Sequence, residues 1–368
     1  MLLMIGNQQR SSLLKVGSLF LLIGMILSSI SVIAATSSIT MSTLSPAEKK
    51  VQGDEWVKRN SSGVELYGNN LLYSLDTPAV LLVLEDIPTL SLWSLHQQGE
   101  IPPSLYIYDF DGNFFYALPG FSGMTATSNT LDQLFRSREA LEREFILKSQ
   151  IPVYSTARRD TRDLPGYDLL PCGMVYLFHK QGTPVPDYAK HISRIQMFAQ
   201  DSKANLSAEQ KNMAAIMHYM RAVNYLQLRT AWAKDSARND FMESAKWSID
   251  LKGIHILLAE NFIKLSDKNN ALSSAQTAVL KRPDSAKAFF LLGQAWEMNK
   301  ASLKAVDAYQ QSMKLDPGNS QLHYRLGMLF ETLKKNKEAR EIYHQSLQSN
   351  PSSPESGAIK KRLQSLSK

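Results

Sequence analysis

The last third of the chain carries a helical pattern of apolar and polar positions, and this pattern recurs every 34 residues. Each clear copy holds a small residue at a fixed offset and ends in a proline. An aromatic residue recurs at a further fixed offset, where only Ala275 interrupts it. A fixed period of this kind predicts stacked pairs of helices. The positions that carry the period are Ala271, Ala305 and Ala339, Gly293 and Gly327, Tyr309 and Tyr343, and Pro317 and Pro351.

Each of these residue types has a physical role in a helix pair. Glycine or alanine at the point where two helices cross lets the backbones approach closely, and the aromatic rings fill the space around the crossing. Proline lacks a backbone N–H and therefore ends a helix. The combination resembles the tetratricopeptide repeat (TPR), and this resemblance implies an all-α solenoid that binds protein partners.

The period also sets the predicted bounds of the solenoid, which we expect over residues 207–353. Three clear repeats occupy 252–353, and a weaker one occupies 218–251. The weak repeat keeps Ala237 and Phe241 but has Ile249 where a proline is expected. Residues 354–368 predict a short polar capping helix and tail, because the open end of such an array needs a polar cover.

A second pattern is an uncharged apolar stretch at residues 16–35, which Arg10 and Lys15 precede. Twenty residues of helix span about 30 Å, enough to cross the core of a bilayer. The positive flank predicts a cytoplasmic N-terminus and an exported body. We therefore predict a signal anchor over 1–36 and a location in the cell inner membrane, single-pass, with the body in the periplasm.

Two alternatives to the anchor stay open. Ala34 and Ala35 are small residues that suit signal-peptide cleavage, which would give a secreted protein, and the stretch is also compatible with a buried core helix. The polar residues 37–66 that follow predict a linker, and a short helix off the membrane is the alternative for Ser45–Gly63.

Residues 67–200 alternate short apolar runs with amphipathic stretches. Apolar runs at 79–84, 105–108, 151–155 and 174–178 predict strands, while 90–96 and 131–148 predict helices. Two further helical stretches, at 190–199 and 207–228, lead into the repeats. This order indicates a small layered α/β domain with a mainly parallel sheet. The predicted fold is thus an N-terminal hydrophobic helix, an α/β extracytoplasmic domain and an all-α solenoid.

Several strings of the middle segment resemble a second family. They are 75–82 (LDTPAVLL), 98–105 (QGEIPPSL), 151–156 (IPVYST) and 166–176 (GYDLLPCGMVY). They are similar to the extracytoplasmic part of bacterial protein O-mannosyltransferase-like multi-span glycosyltransferases, some of which carry TPRs after it. Glu85 stands where that family has glycine, and Glu100-Ile101 replaces its arginine-bearing turn. The resemblance implies an accessory domain and transfers no catalytic residue.

The net charge and a few individual residues limit the kinds of ligand and reaction that the sequence predicts. The net charge is +7, and residues 252–368 hold 18 Lys/Arg against 10 Asp/Glu. We interpret these scattered lysines as a solvated helical face, with an anionic partner or a membrane surface as the alternative, and we expect no nucleic acid partner. The histidines lack metal-ligand spacing, and Cys172 has no evident catalytic neighbour. Asp111-Gly112 indicates a hairpin turn rather than a calcium loop.

We accordingly expect no enzyme activity, no metal and no cofactor. Glu85 and Asp86 follow a predicted strand, where an α/β sheet presents ligand groups, although a polar strand end or a helix N-cap is the preferred explanation of the two residues. On the solenoid, the first helices offer a partner-binding face with no array of basic residues for a terminal carboxylate. The residues predicted on that face are His255, Lys287, Gln294, Tyr324 and Met328.

The sequence thus predicts a membrane-tethered or exported scaffold that mediates protein–protein interactions in a cell-envelope complex. The alternative is an accessory subunit, or non-catalytic relative, of an envelope protein glycosyltransferase, which would then be its partner.

Overall fold

The computed structural model describes residues 46–109, 114–119, 131–159, 161, 163–198 and 206–366. The chain divides after Leu251 into two compact units, each described by itself below. The predicted membrane segment at 16–35 lies outside the described residues. Within the part that is described, no helix is both long and apolar enough to span a bilayer.

Unit 1, which ends at Leu251, combines helices with a five-stranded sheet. Its described helices are α1 (Pro46–Arg59), α2 (Ser61–Tyr73), α3 (Asp86–Gln97), α4 (Leu131–Lys148), α5 (Tyr188–Arg194), α6 (Ala208–Gln227) and α7 (Ala231–Trp247). Its strands are β1 (Ala79–Leu82), β2 (Leu105–Tyr108), β3 (Val153–Ser155), β4 (Tyr167–Cys172) and β5 (Val175–Lys180).

The sheet has the strand order β2-β1-β3-β5-β4. β1 pairs in parallel with β2 and β3, whereas β5 is antiparallel to β3 and to β4. The expected mainly parallel sheet is therefore mixed. β4 and β5 form a hairpin whose turn needs Gly173, which has a φ of 59°. β4 is difficult to predict from the sequence because the strand contains Asp168 and Pro171. The proline is tolerated because β4 lies at the edge of the sheet.

β1 is an inner strand of this sheet, between β2 and β3. All four of its residues are buried, as a strand requires when both faces of a sheet are covered. After β2, the main-chain N–H of Phe114 donates to Asp109 Oδ2 at 2.8 Å. Tyr108 and Tyr116 then form a parallel bridge, which differs from the antiparallel pairing of a hairpin. The turn predicted at Asp111-Gly112 lies outside the described residues.

Helices occupy most of the stretch for which the sequence predicts a linker. Trp56 in α1 is 3% exposed, and Val64, Tyr67 and Leu71 in α2 are also buried. The last three residues follow a helical spacing of three and four, so one face of α2 is apolar and packs inward. This periodicity is short and is interrupted by polar residues and glycines, so it is difficult to recognise in the sequence.

The hairpin of α6 and α7 belongs to unit 1, although the sequence places it in the solenoid as the weak repeat at 218–251. The Asn224 side chain explains the difference. Its amide oxygen accepts from the N–H of Gly173 at 3.0 Å, and its amide nitrogen donates to the carbonyl of Gly173 at 2.9 Å. These buried bonds tie α6 to the β4–β5 turn, so that this hairpin is part of the sheet-containing unit.

Unit 2 begins at Lys252 and consists of three helix pairs followed by a single helix. The first helices of the pairs are α8 (Ile254–Lys264), α10 (Ala286–Met298) and α12 (Ser320–Thr332). The second helices are α9 (Lys268–Lys281), α11 (Ser302–Leu315) and α13 (Asn336–Ser349). The last helix, α14 (Ser356–Leu366), lies where the sequence predicts a capping helix.

The residues that carry the sequence period are at the centre of these pairs. Ala271, Ala305 and Ala339 are fully buried, as are Tyr309 and Tyr343. A Cβ atom added to Gly293 would lie 2.3 Å from Tyr309 Cε1, and one added to Gly327 would lie 2.2 Å from Tyr343 Cε1. Both glycines are therefore required because the opposing tyrosine ring occupies the space of a side chain.

Gly327→Ala tests this close approach. The new methyl group overlaps a fully buried ring, so we expect the free energy of unfolding to fall by about 2 kcal/mol or more. Urea unfolding followed by circular dichroism measures the change. Gly357→Ala in α14 is the matched control, because a Cβ atom there meets nothing within 4 Å. The control should be neutral or slightly stabilising, and equal losses in both variants would contradict this account.

Candidate functional site

The first helices of unit 2 present the face on which the sequence places partner-binding residues. Lys287 is exposed on this face, and Gln294, Tyr324 and Met328 are half-buried. His255 does not belong with them, since it is only 5% exposed and lies in the core. The prediction for His255 is corrected, because a side chain this deeply buried does not reach a partner at the surface.

Three ion pairs connect successive first helices. Lys287 Nζ of α10 lies 3.6 Å from Glu260 Oε2 of α8, and Arg325 Nη1 of α12 lies 3.3 Å from Glu297 Oε2 of α10. Arg362 Nη1 of α14 continues the series, at 3.0 Å from Glu331 Oε2 of α12. We call these six residues the ion-pair ladder: Glu260, Lys287, Glu297, Arg325, Glu331 and Arg362.

Two buried tyrosines hold the ladder glutamates in place. The hydroxyl of Tyr343 donates to Glu331 Oε1 at 2.5 Å, and the hydroxyl of Tyr309 donates in the same way to Glu297 Oε2. Burial and the adjacent carboxylates raise the pKa of both tyrosines well above the ordinary value. The phenols thus stay protonated and act as permanent donors. The rings that fill the helix crossings also fix the carboxylates of the outer face.

The ladder residues are partly open to solvent. The side chains of Arg325 and Arg362 are 36% and 39% exposed, so each pair contributes at most about 1 kcal/mol to stability. Arg362 also lies over the ring of Tyr324, 5.9 Å from its centroid. A face with both charge signs, an aromatic ring and Met328 can bind a polypeptide segment that carries polar and apolar side chains.

Sequence reasoning missed five of the six ladder residues. One signal was available, because Glu297 and Glu331 are themselves one repeat period apart and each precedes its tyrosine by the same interval. Their basic partners break the period, since the interval from Glu297 to Arg325 is shorter than the interval from Glu331 to Arg362. The pairing depends on how adjacent helices are rotated, which the period does not reveal.

Buried histidines occupy one repeat position in the first and third pairs. His255 and His323 are two repeat periods apart, and Phe289 holds the same position in the pair between them. Burial, assisted by Lys281, lowers the pKa of His255 to about 4. Burial also lowers the pKa of His323. Both imidazoles are therefore neutral in the folded protein at neutral pH.

These histidines make unit 2 less stable in acid. Below the ordinary histidine pKa of 6.5 the unfolded chain binds protons that the folded state does not bind, so stability falls as the pH decreases from 6.5 towards 4. For His255 this loss is about 2 kcal/mol between pH 7 and pH 5. Urea unfolding of wild type and of His255→Phe/His323→Phe at the two pH values measures it.

The double variant places at both positions the residue that the middle pair already has, and it should lose less stability on acidification than wild type. His344→Gln is the control, because His344 is exposed and should leave the pH dependence unchanged. A double variant as acid-sensitive as wild type would contradict the assignment.

A second candidate site lies in unit 1, at the carboxyl ends of β1 and β3. The chain leaves β1 to form β2 on one side of it and then crosses over to form β3 on the other side. Open α/β sheets bind ligands at such a reversal of strand order. Glu85 follows β1 at this point, and the hydroxyl of Thr156, which follows β3, donates to Glu85 Oε2 at 2.7 Å. Asp86 is the first residue of α3.

Burial raises the pKa of Glu85 to about 7, against the opposing effects of the Thr156 hydrogen bond and of Arg159. The cavity beside Glu85 has room for about one water molecule. It is lined by Tyr67, Glu85, Ile87, Pro88, Thr156, Met174, Ile216 and Met220. The arrangement thus provides a carboxyl group that can donate a hydrogen bond at neutral pH, in a largely apolar setting.

Other candidate groups show no such arrangement. Burial raises the pKa of the Cys172 thiol to about 12, so this buried sulfur is protonated and unreactive at neutral pH. Among the described residues, no cluster of three or more His, Cys, Asp or Glu side chains is arranged to hold a metal ion.

Comparison with known proteins identifies the repeats. The tetratricopeptide repeat family model matches residues 256–320 and 304–354, which contain the three helix pairs. These residues are similar to tetratricopeptide repeats. No curated protein matches the sequence.

Solved structures of TPR proteins are similar to parts of this chain. One is YrrB, described as a TPR protein with an unusual peptide-binding site, with 18% identity over 47% of this chain and 80% of its own, and a TM-score of 0.37. A second is MamA, with 22% identity over 39% of this chain and 86% of its own, and a TM-score of 0.33. MamA from Desulfovibrio magneticus RS-1 has 20% identity over 46% of this chain and 99% of its own, with a TM-score of 0.35.

Proposed function

We propose that this protein is an interaction scaffold whose TPR unit binds a segment of a partner protein along the ion-pair ladder. The TPR family match supports a role in protein–protein interaction. The observation that carries the proposal is the series of three half-exposed ion pairs, which joins α8, α10, α12 and α14 on one face. Because the ladder offers both charge signs, the partner segment carries both acidic and basic residues.

Binding on this face is an exchange of partners. An acidic side chain of the incoming segment replaces Glu297 at Arg325, or Glu260 at Lys287, while a basic side chain binds the released carboxylate. Tyr309 and Tyr343 hold Glu297 and Glu331 in fixed orientations before the partner binds. Binding therefore restricts few additional side chains. Preorganisation of this kind lowers the entropic cost of association.

We further propose that the scaffold works at the cell envelope. This part of the proposal rests on the apolar segment at 16–35 and the positive charges before it, which would anchor the chain in the inner membrane with an exported body, or would direct its secretion after cleavage. In either arrangement the TPR unit is available to an envelope complex.

Site-directed photocrosslinking in intact cells tests the ladder. A photoreactive residue at Met328 should form an adduct with the partner, and Lys287→Glu/Arg325→Glu should reduce that adduct about tenfold or more, since charge reversal removes the complementary contacts. The same residue placed at Leu280, which is 82% exposed in α9, is the control for position.

Lys252→Glu/Lys314→Glu is the control for charge, because both lysines are exposed and lie outside the ladder. It should leave the Met328 adduct intact. An adduct that survives the ladder reversal, or that forms equally at Leu280, would overturn the assignment of the face.

A second candidate function concerns unit 1. Glu85, with a pKa of about 7, can donate a hydrogen bond to a hydroxyl-bearing ligand such as a glycan. This would suit an accessory subunit of an envelope glycosyltransferase, in line with the resemblance of the middle segment to such enzymes. Asp86, beside it at the start of α3, would flank the ligand.

Carboxyl NMR of the protein labelled at glutamate tests this candidate. We expect one glutamate to titrate near pH 7, and Glu85→Gln should abolish that resonance while Glu144→Gln leaves it. An added acceptor glycan should shift the midpoint if unit 1 binds it. A midpoint unchanged at saturating glycan would exclude this function, and a midpoint near the ordinary value of Glu would contradict the burial of Glu85.

A further inference from the structure

The lysines of unit 2 are not scattered once the chain is folded. Six of them lie in the turns that join the first helix of a pair to the second, or in the first turn of the second helix. All six are exposed. We call this set the lysine edge: Lys268, Lys300, Lys304, Lys334, Lys335 and Lys337.

The three turns have the same backbone form and are neighbours in space. Each contains one residue in the left-handed region, namely Ser266, Lys300 and Lys334, with φ of 56°, 59° and 59°. The side-chain amide of Asn299, in the second turn, donates to the carbonyl of Lys268 in the first turn at 3.0 Å. Successive turns thus align along one edge of the unit, and their lysines align with them.

Little negative charge opposes these lysines. Residues 266–270, 300–304 and 334–338 contain the six lysines and two acidic residues, Asp267 and Glu338. The carboxylate of Asp267 is engaged as the cap of α9, where it accepts from the main-chain N–H of Asn270. The turns on the opposite edge, at 281–285, 315–319 and 349–353, hold two basic and two acidic residues. Of the two sets of turns, only the set on the lysine edge therefore carries a net positive charge.

The six lysines also lack charged partners of their own. None of them forms an ion pair with any residue in the described part of the chain, whereas Lys264 and Lys287 nearby pair with Glu260. Lys304 instead places its ammonium group over the ring of Trp296, 4.5 Å from the centroid. Its positive charge stays at the surface, and this contact covers the aromatic face.

One large apolar side chain stands among these charges. Leu303, between Lys300 and Lys304 in the first turn of α11, is 66% exposed. Exposed leucine surrounded by lysine suits the boundary between lipid headgroups and acyl chains, where the ammonium groups bind phosphates and the apolar group inserts.

We propose that the lysine edge binds the headgroups of anionic lipids, and so lays the TPR unit against a membrane surface. Lysine acts as a hydrated point charge that suits a diffuse layer of phosphates, whereas bidentate recognition of a defined partner favours arginine, which the edge lacks. Nucleic acid is the weaker assignment, because Lys304 occupies the Trp296 ring face on which a base would stack. Binding of an acidic polypeptide by the lysine edge is one of the outcomes that the test below distinguishes.

Vesicle binding by the full chain tests the proposal. Phosphatidylcholine vesicles with and without phosphatidylglycerol separate the anionic contribution from any insertion of residues 16–35. In the variant with Lys300, Lys304, Lys334 and Lys337 all changed to Gln, the gain in binding on adding phosphatidylglycerol should fall about 600-fold, since each of the four lysines near such a surface contributes roughly fivefold. The matched control changes Lys252, Lys314, Lys360 and Lys361 to Gln, which removes the same charge elsewhere.

A local probe shows which edge touches the lipid. An environment-sensitive dye on Leu303→Cys should shift to the blue with anionic vesicles, and the same dye on Leu280→Cys should not, because Leu280 lies near the opposite turns, in the last turn of α9. Cys172 is buried and does not take the label.

Three results would overturn the lipid assignment. They are equal losses in the two lysine variants, a dye at Leu303 that does not respond to anionic vesicles, and an edge variant that keeps vesicle binding but loses binding to polyglutamate or to duplex DNA. The last result would mean that the lysine edge binds an acidic polypeptide or nucleic acid instead of lipid. Circular dichroism of each variant confirms that the helices remain.

Discussion

The close approach of the two helices in each TPR pair is the constraint on which the rest of unit 2 depends. At Gly293 and Gly327 the backbone of the first helix touches the tyrosine ring of the second, and no other residue type leaves room for that ring. The ring position then sets where the hydroxyl group lies, and the hydroxyl group orients Glu297 or Glu331. A glycine in the core thus determines the direction of a carboxylate on the outer face.

The same period produces two surfaces of different electrostatic character. Residues on the outer side of the first helices pair acid with base between neighbouring repeats, so the ion-pair ladder is nearly neutral and suits a segment with mixed charges. The lysines in and beside the turns form no ion pair with a described residue, so their charge remains uncompensated. The two surfaces differ because one lies between stacked elements and the other at their ends. A partner and a membrane can therefore be bound by different parts of one small unit.

The repeats could be predicted from sequence because their signal lies in single residues at a fixed step, such as Ala305 and Tyr309. Features that depend on contacts between distant positions could not. Arg362 reaches Glu331 only because α14 packs on the last pair with a particular rotation, and Asn224 binds Gly173 through a fold that separates them by 51 positions in the chain. For residues 46–66 the sequence left a linker and a short helix open, because the apolar face of the helices there is narrow. At the sheet, Glu85 was predicted at a strand end, but its raised pKa required knowledge of what buries it.

The distribution of stabilising energy explains why these surfaces can change without loss of the fold. Tyr309, Tyr343 and the three buried alanines carry the packing of the repeats, and each is fully removed from water. The ladder pairs are half-exposed and together contribute no more than a few kcal/mol. The unpaired lysines of the edge repel one another and so do not add to stability. Because the ladder and the edge add little to stability, exposed residues there can be substituted while the packing of the repeats stays intact.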